Sequence, residues 1–99
     1  MYGTIAQMRV KAGKESGFAA LSRDIEEVAA PGHIASYVYQ MDRDSREFFL
    51  AVIFESREAY HANAASPEQH QQFLKLMEYL ESEPVWNDGE IVYATQRDE

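Results

Sequence analysis

Phe48-Phe49-Leu50-Ala51-Val52-Ile53-Phe54 is an unbroken run of apolar residues, and it constrains the fold of this chain more than any other segment. A strand sends successive side chains to opposite faces, so such a run needs cover on both. It is far shorter than the roughly 20 apolar residues that a membrane-spanning helix requires. Glu47 to Phe54 therefore reads as a strand with both faces covered. Ile34 to Met41, rich in β-branched and aromatic residues, reads as the strand before it. The charged segment Asp42-Arg43-Asp44-Ser45-Arg46 turns the chain between them, so the pair forms a hairpin.

The flanking segments supply the other elements. Gly3 to Val10 is a first strand, with Ala6, Met8 and Val10 on one face and Ile5, Gln7 and Arg9 on the other. Lys11-Ala12-Gly13-Lys14 turns, and from Glu15 the period changes. Phe18, Leu21, Ile25 and Val28 recur at helical spacing opposite Arg23, Asp24, Glu26 and Glu27, and Pro31-Gly32 ends the helix. Ser56 caps a short helix running to about Ala65. Ser66-Pro67-Glu68-Gln69 starts another, with an N-cap serine, proline in the first turn and a capping-box glutamine. Its stripe is Phe73, Leu74, Met77 and Leu80. Pro84 stops it, Asn87-Asp88-Gly89 reads as a turn, and Glu90 to Thr95 reads as the last strand, before a polar tail from Gln96 to Glu99.

The order β-α-β-β-α-α-β is the split βαβ arrangement, with its second helix broken in two. It predicts an α+β, ferredoxin-like fold around an antiparallel four-stranded sheet, as a single domain over residues 1–99. One face of that sheet carries the helices. The other is bare in a monomer and still holds large apolar residues, so a homodimer is expected to cover it.

The bulk properties agree with a globular chain. Hydrophobic residues make up 45% of its 99 residues and charged residues 26%, enough for one core and too few for two. The net charge of −8 leaves no basic face for nucleic acid or for an anionic membrane. Without cysteine, disulfides, thiolate catalysis, iron–sulfur clusters and cysteine-held zinc are excluded. No basic leader or signal core precedes the first strand, so the expected location is cytoplasmic.

The segment Phe54-Glu55-Ser56-Arg57-Glu58-Ala59-Tyr60-His61-Ala62-Asn63-Ala64-Ala65-Ser66-Pro67 resembles the antibiotic biosynthesis monooxygenase family, in which an aromatic, a serine, an alanine–aromatic pair, a histidine and Ser-Pro often follow in that order. Arg9-Val10-Lys11-Ala12-Gly13-Lys14 is similar to the family's strand-end turn, followed by Phe18. The resemblance implies a homodimer whose two sheets face each other as an α+β barrel, with a pocket between sheet and helices in each subunit. It also implies one of the family's activities: oxidation of quinol-like or anthrone-like aromatics without a cofactor, or haem breakdown. Two departures bear on the choice. The family's frequent histidine falls here at Asn63, with His61 two residues earlier on another helical face. The haem-degrading branch has tryptophan at the Asn63 position, histidine near Phe73 and a first-strand asparagine that aligns with Met8, or less well with Gln7. Those groups are missing, so haem degradation is disfavoured.

Several residues could carry chemistry. His70 lies three residues before Phe73 and seven before Met77 on one helical stripe. A histidine there could take a proton from a bound phenol, its reference pKa being about 6.5, or it could be a water-satisfied residue at the rim of the core. Asn63 could hold a substrate oxygen or satisfy the loop before Ser66. Tyr37, Tyr39 and Tyr93 could donate to an aromatic substrate or simply pack the sheet. Trp86 could cover a pocket or anchor a loop, and Arg9 could pair an anionic substrate or an acidic group across a dimer. Phe73 and Met77 would supply apolar wall. His33 reads as an exposed loop residue and His61 as solvent-facing. No metal spacing and no nucleotide or flavin phosphate loop is present. Two functions remain: a cofactor-free monooxygenase acting on an electron-rich aromatic, with His70 as base and Asn63 and a tyrosine stabilising the anion, or a non-catalytic module that binds a small hydrophobic molecule.

Overall fold

The computed structural model describes residues 1–26 and 30–97, without the side chains of 25 and 26. Its elements are β1 (Tyr2–Arg9), α1 (Glu15–Glu26), β2 (His33–Gln40), β3 (Glu47–Phe54), α2 (Arg57–Ala64), α3 (Pro67–Met77) and β4 (Val85–Glu90). They form an α+β fold with one antiparallel sheet in the order β2-β3-β1-β4. Ile25, Glu26 and residues 27–29, which complete the expected stripe and acidic face of α1, lie outside the described side chains. Among the described residues no helix is long and apolar enough to cross a membrane.

The alternation in β1 is realised directly. Tyr2, Thr4, Ala6 and Met8 point to the helices and are buried, while Ile5, Gln7 and Arg9 are exposed on the far face. Gly3 sits where β1 and β3 pass closely, and a Cβ there would collide with the Val52 carbonyl oxygen. β3 supplies Phe48 and Phe54 to the buried face. Phe18 of α1 meets Phe48 edge-on at 4.9 Å. Around that pair Ala6, Met8, Val10, Leu76 and Leu80 close the core between one half of the sheet and α1 with α3. Burying each such large side chain contributes about 1.5–3 kcal/mol.

Both serine caps form as the sequence predicts: Ser56 Oγ accepts from the Ala59 N–H and Ser66 Oγ from the Gln69 N–H, each at 3.1 Å. Gln69 does not complete the capping box, because its side-chain oxygen accepts from Asn63 instead.

β4 is a correction to the sequence reading. The strand is Val85–Glu90 and includes Asn87-Asp88-Gly89, whereas residues 91–97 carry no regular structure. β1 offers a free edge in register, Gln7 opposite Val85 through Tyr2 opposite Glu90. The Asn87 amide adds a bond to the Ile5 carbonyl at 2.9 Å. Pairing against an existing edge outweighs the turn preference of Asn-Asp-Gly, because strand propensity depends chiefly on the surroundings.

The far face of the sheet carries Ile5, Tyr37, Tyr39 and Val85, each about half-exposed, beside the partly buried Phe49, Ala51 and Ile53. The second face of β3 is thus only partly covered within one chain.

Candidate functional site

α2 explains why a cavity exists. Its sequence Arg57-Glu58-Ala59-Tyr60-His61-Ala62-Asn63-Ala64 turns alanines where a core helix would turn leucines, and none of its residues is fully buried. The space between α2, α3 and the sheet stays unfilled, leaving a cavity of about 860 Å³. Thr4, Leu50, Val52 and Phe54 of β1 and β3 form its floor. Ala59, Tyr60 and Asn63 of α2, His70, Phe73 and Leu76 of α3, and Trp86 and Asp88 of β4 form its walls, and Pro31-Gly32-His33 reaches its edge.

Of the expected site residues, the fold gathers His70, Asn63, Phe73 and Trp86 around this cavity. His70 stands in the first turn of α3, exposed, its N–H closing onto the Ser66 carbonyl at 3.2 Å. The Asn63 side-chain amide donates to Gln69 Oε1 at 3.4 Å, and the Asn63 backbone carbonyl accepts from the Ser66 N–H at 3.0 Å. Phe73 and Trp86 face each other with ring centroids 6.4 Å apart.

The remaining expected residues lie elsewhere. Tyr37, Tyr39 and Arg9 are on the opposite face of the sheet, because each alternates with a pocket-side neighbour along its strand. Arg9 is moreover committed within its own chain, 2.6 Å from Asp44 and 3.4 Å from Glu81. The Arg46 N–H, together with the Arg9 guanidinium, holds the Asp44 carboxyl below its usual value. Met77 packs against the core rather than the cavity. Tyr93 follows β4 and is 79% exposed.

The cavity also contains groups that sequence reasoning passed over. All three histidines of the chain line it. His33 is not an exposed loop residue. It opens β2, with its Nε2 2.7 Å from Ser36 Oγ and its ring edge-on to Phe54. His61 is exposed, as expected, but its ring packs beside Tyr60 and Tyr2 at the cavity's rim.

Tyr60 is the most constrained polar group. Its ring is held among Tyr2, Phe54 and His61, and its hydroxyl donates to Asp88 Oδ1 at 2.8 Å. Burial, reinforced by that bond to a carboxylate, pushes its phenol up to about 12, an effect the neighbouring Thr4 hydroxyl opposes. Thr4 itself is 5% exposed, and its Oγ1 makes no well-formed hydrogen bond. Thr4 was legible, since it shares the inward parity of Ala6 and Met8. Tyr60 precedes Asn63 by one helical turn. Asp88 was hidden by the reading of its segment as a turn.

The electrostatics are one-sided. Glu55, Glu68 and Asp88 line the cavity, and among the described residues no lysine or arginine does. No cluster of three or more histidines, aspartates or glutamates among them is placed to hold a metal ion. The arrangement can bind an apolar ring, exchange hydrogen bonds with its oxygen substituents and accept a proton at histidine.

Comparison with known proteins agrees with this architecture. A family model described as antibiotic biosynthesis monooxygenase matches residues 1–83. No curated protein matches the chain significantly. Among solved structures, a protein from Nitrosomonas europaea provisionally described as such a monooxygenase is 19% identical, with a TM-score of 0.79 over 94% of this chain and 100% of its own. A counterpart from Deinococcus radiodurans, described in the same provisional way, is 15% identical, with a TM-score of 0.83 over the whole of both chains. A mutant of SnoaB, a cofactor-independent oxygenase from Streptomyces nogalater, is 9% identical, with a TM-score of 0.84 over 97% of each chain. At these identities the structural likeness speaks for the fold.

Proposed function

This chain belongs to the antibiotic biosynthesis monooxygenase family, and from that premise we propose that it oxidises a small electron-rich aromatic, quinol- or anthrone-like, with dioxygen and without a cofactor. The observation that carries the reading is the cavity of about 860 Å³, with a predominantly apolar lining and three histidines in it. That volume suits a ligand of a few fused rings. A fold-level neighbour, SnoaB, is by name a cofactor-independent oxygenase.

In this reading the protein binds the ring among Leu50, Phe54, Phe73 and Trp86, and His70 takes a substrate proton. The electron-rich anion passes one electron to dioxygen, and the resulting radical and superoxide combine into a carbon–oxygen bond. The peroxide is protonated and its O–O bond breaks. One oxygen stays on the substrate as a carbonyl and the other leaves as water. The net change is a substrate losing two hydrogens and gaining one oxygen, and all four electrons taken by dioxygen come from the substrate. Asn63 would hold the substrate anion, consistent with donors placed where charge develops.

The same reading includes a homodimer formed through the far face of the sheet, supported by the half-exposed Ile5, Tyr37, Tyr39 and Val85. The activity is tested by oxygen uptake of metal-stripped protein with a panel of hydroquinones and anthrones. Uptake above autoxidation with an oxygenated product supports the proposal. Saturable binding of the panel without turnover would make the chain a binding module instead.

A further inference from the structure

Thr4, Tyr60 and Asp88 come from three elements and meet at one place in the cavity. Thr4 lies directly opposite Asp88 in the β1–β4 register, so both side chains point toward the helices, and Tyr60 descends from α2 to donate to Asp88. Two features of this cluster call for a ligand. The Thr4 hydroxyl is buried and, although the Tyr60 hydroxyl is near it, has no partner in good hydrogen-bond geometry, a state that is costly unless a ligand group fills it. The Tyr60 hydroxyl spends its only hydrogen on Asp88, so toward the cavity Tyr60 and Asp88 offer lone pairs alone.

We propose that Thr4, Tyr60 and Asp88 form a subsite that binds a neutral hydroxyl group of an aromatic ligand and rejects a carboxylate. A hydroxyl satisfies the cluster from both sides: it accepts from Thr4 Oγ1 and donates its one hydrogen to a carboxylate oxygen of Asp88. A carboxylate has no hydrogen to donate. It would also sit beside Asp88 in a cavity that holds Glu55 and Glu68 and, among the described residues, no lysine or arginine. A phenolate would be repelled in the same way, so the hydroxyl held here stays protonated. The oxygen that ionises for reaction with dioxygen is then a second one, which makes the substrate class an aromatic with at least two oxygen substituents and no acid group. This deepens the proposed function and rests on the same cavity being the ligand site.

The test is anaerobic titration calorimetry of the full chain with 2-naphthol and with 2-naphthoate at about pH 8, above the reference histidine pKa of about 6.5. The expected result is binding of 2-naphthol at least about tenfold tighter than of 2-naphthoate. Thr4→Val weakens 2-naphthol by about five- to tenfold, the equivalent of one hydrogen bond, and Thr4→Ser binds it as the wild type does. Asp88→Asn narrows the difference between the ligands by improving 2-naphthoate, and it decides the matter if Thr4→Val fails to fold. Equal binding of the two ligands, no binding of 2-naphthol, or a folded Thr4→Val that binds it unchanged overturns the proposal. Oxygen uptake is a separate readout. A chain that oxidises quinols without this preference loses only the subsite, and one with the preference but no uptake loses only the oxygenase.

Discussion

The Tyr60 hydroxyl donates to Asp88 Oδ1 at 2.8 Å, tying α2 to β4 across 28 positions of sequence. It joins a helix none of whose residues is fully buried to an edge strand whose residues are all exposed. The bond therefore holds one wall of the cavity against another.

Tyr60→Phe is expected to cost about 0.5–1.5 kcal/mol in urea denaturation at neutral pH, the worth of one such bond. It also changes the alkaline limb. The folded state favours the neutral phenol, whose value rises from 10.0 to about 12. The associated stability is fully present below pH 10 and is lost as pH climbs toward 12. Phenolate absorbance should show one tyrosine titrating late in the wild type, and that late step should be missing in the variant.

His70→Ala should leave the circular dichroism spectrum unchanged, since the residue is exposed in the first turn of α3. On any quinol or anthrone that the wild type oxidises, its rate should fall by about 10²–10⁴-fold, the range for a removed general base. A rate equal to the wild type would exclude His70 as that base.

The exposed apolar face predicts a dimer. Sedimentation equilibrium should return twice the 11.3 kDa chain mass. Charges placed on that face from the edge strand β2, Tyr37→Glu with Tyr39→Glu, should convert it to monomer. A monomeric wild type at micromolar concentration would rule out this interface as a stable one.

Phe18→Ala empties the middle of the core, where Phe18 is 2% exposed and packs on Phe48. A loss of about 3–5 kcal/mol is expected, enough to bring so small a domain near unfolding at room temperature. Thermal melting of the variant beside the wild type checks it.

Element order and helix starts were legible because their signals are local. Ser56 and Ser66 sit beside the N–H groups they cap, and Phe48 to Phe54 carries the mark of a strand in its own residues. The candidate site was half legible. His70, Asn63, Phe73 and Trp86 line the cavity, and they were picked out because helical spacing and side-chain chemistry can be read along the chain. Tyr37 and Tyr39 were as attractive on chemistry alone, yet they face away from the cavity. Nothing within β2 says which of its two faces meets the helices, and that was settled by pairing with β3.

The sequence by itself determined the order of the elements, the helix caps and the inward parity of β1, because each depends on local signals in the residues themselves. Only the tertiary structure decided that Asn87-Asp88-Gly89 is strand, that Arg9 is spent on Asp44 and Glu81, and that Thr4, Tyr60 and Asp88 meet. Those outcomes depend on which distant edge or charge happens to be the neighbour. Backbone pairing and ion pairing act through space between residues that the chain order keeps far apart.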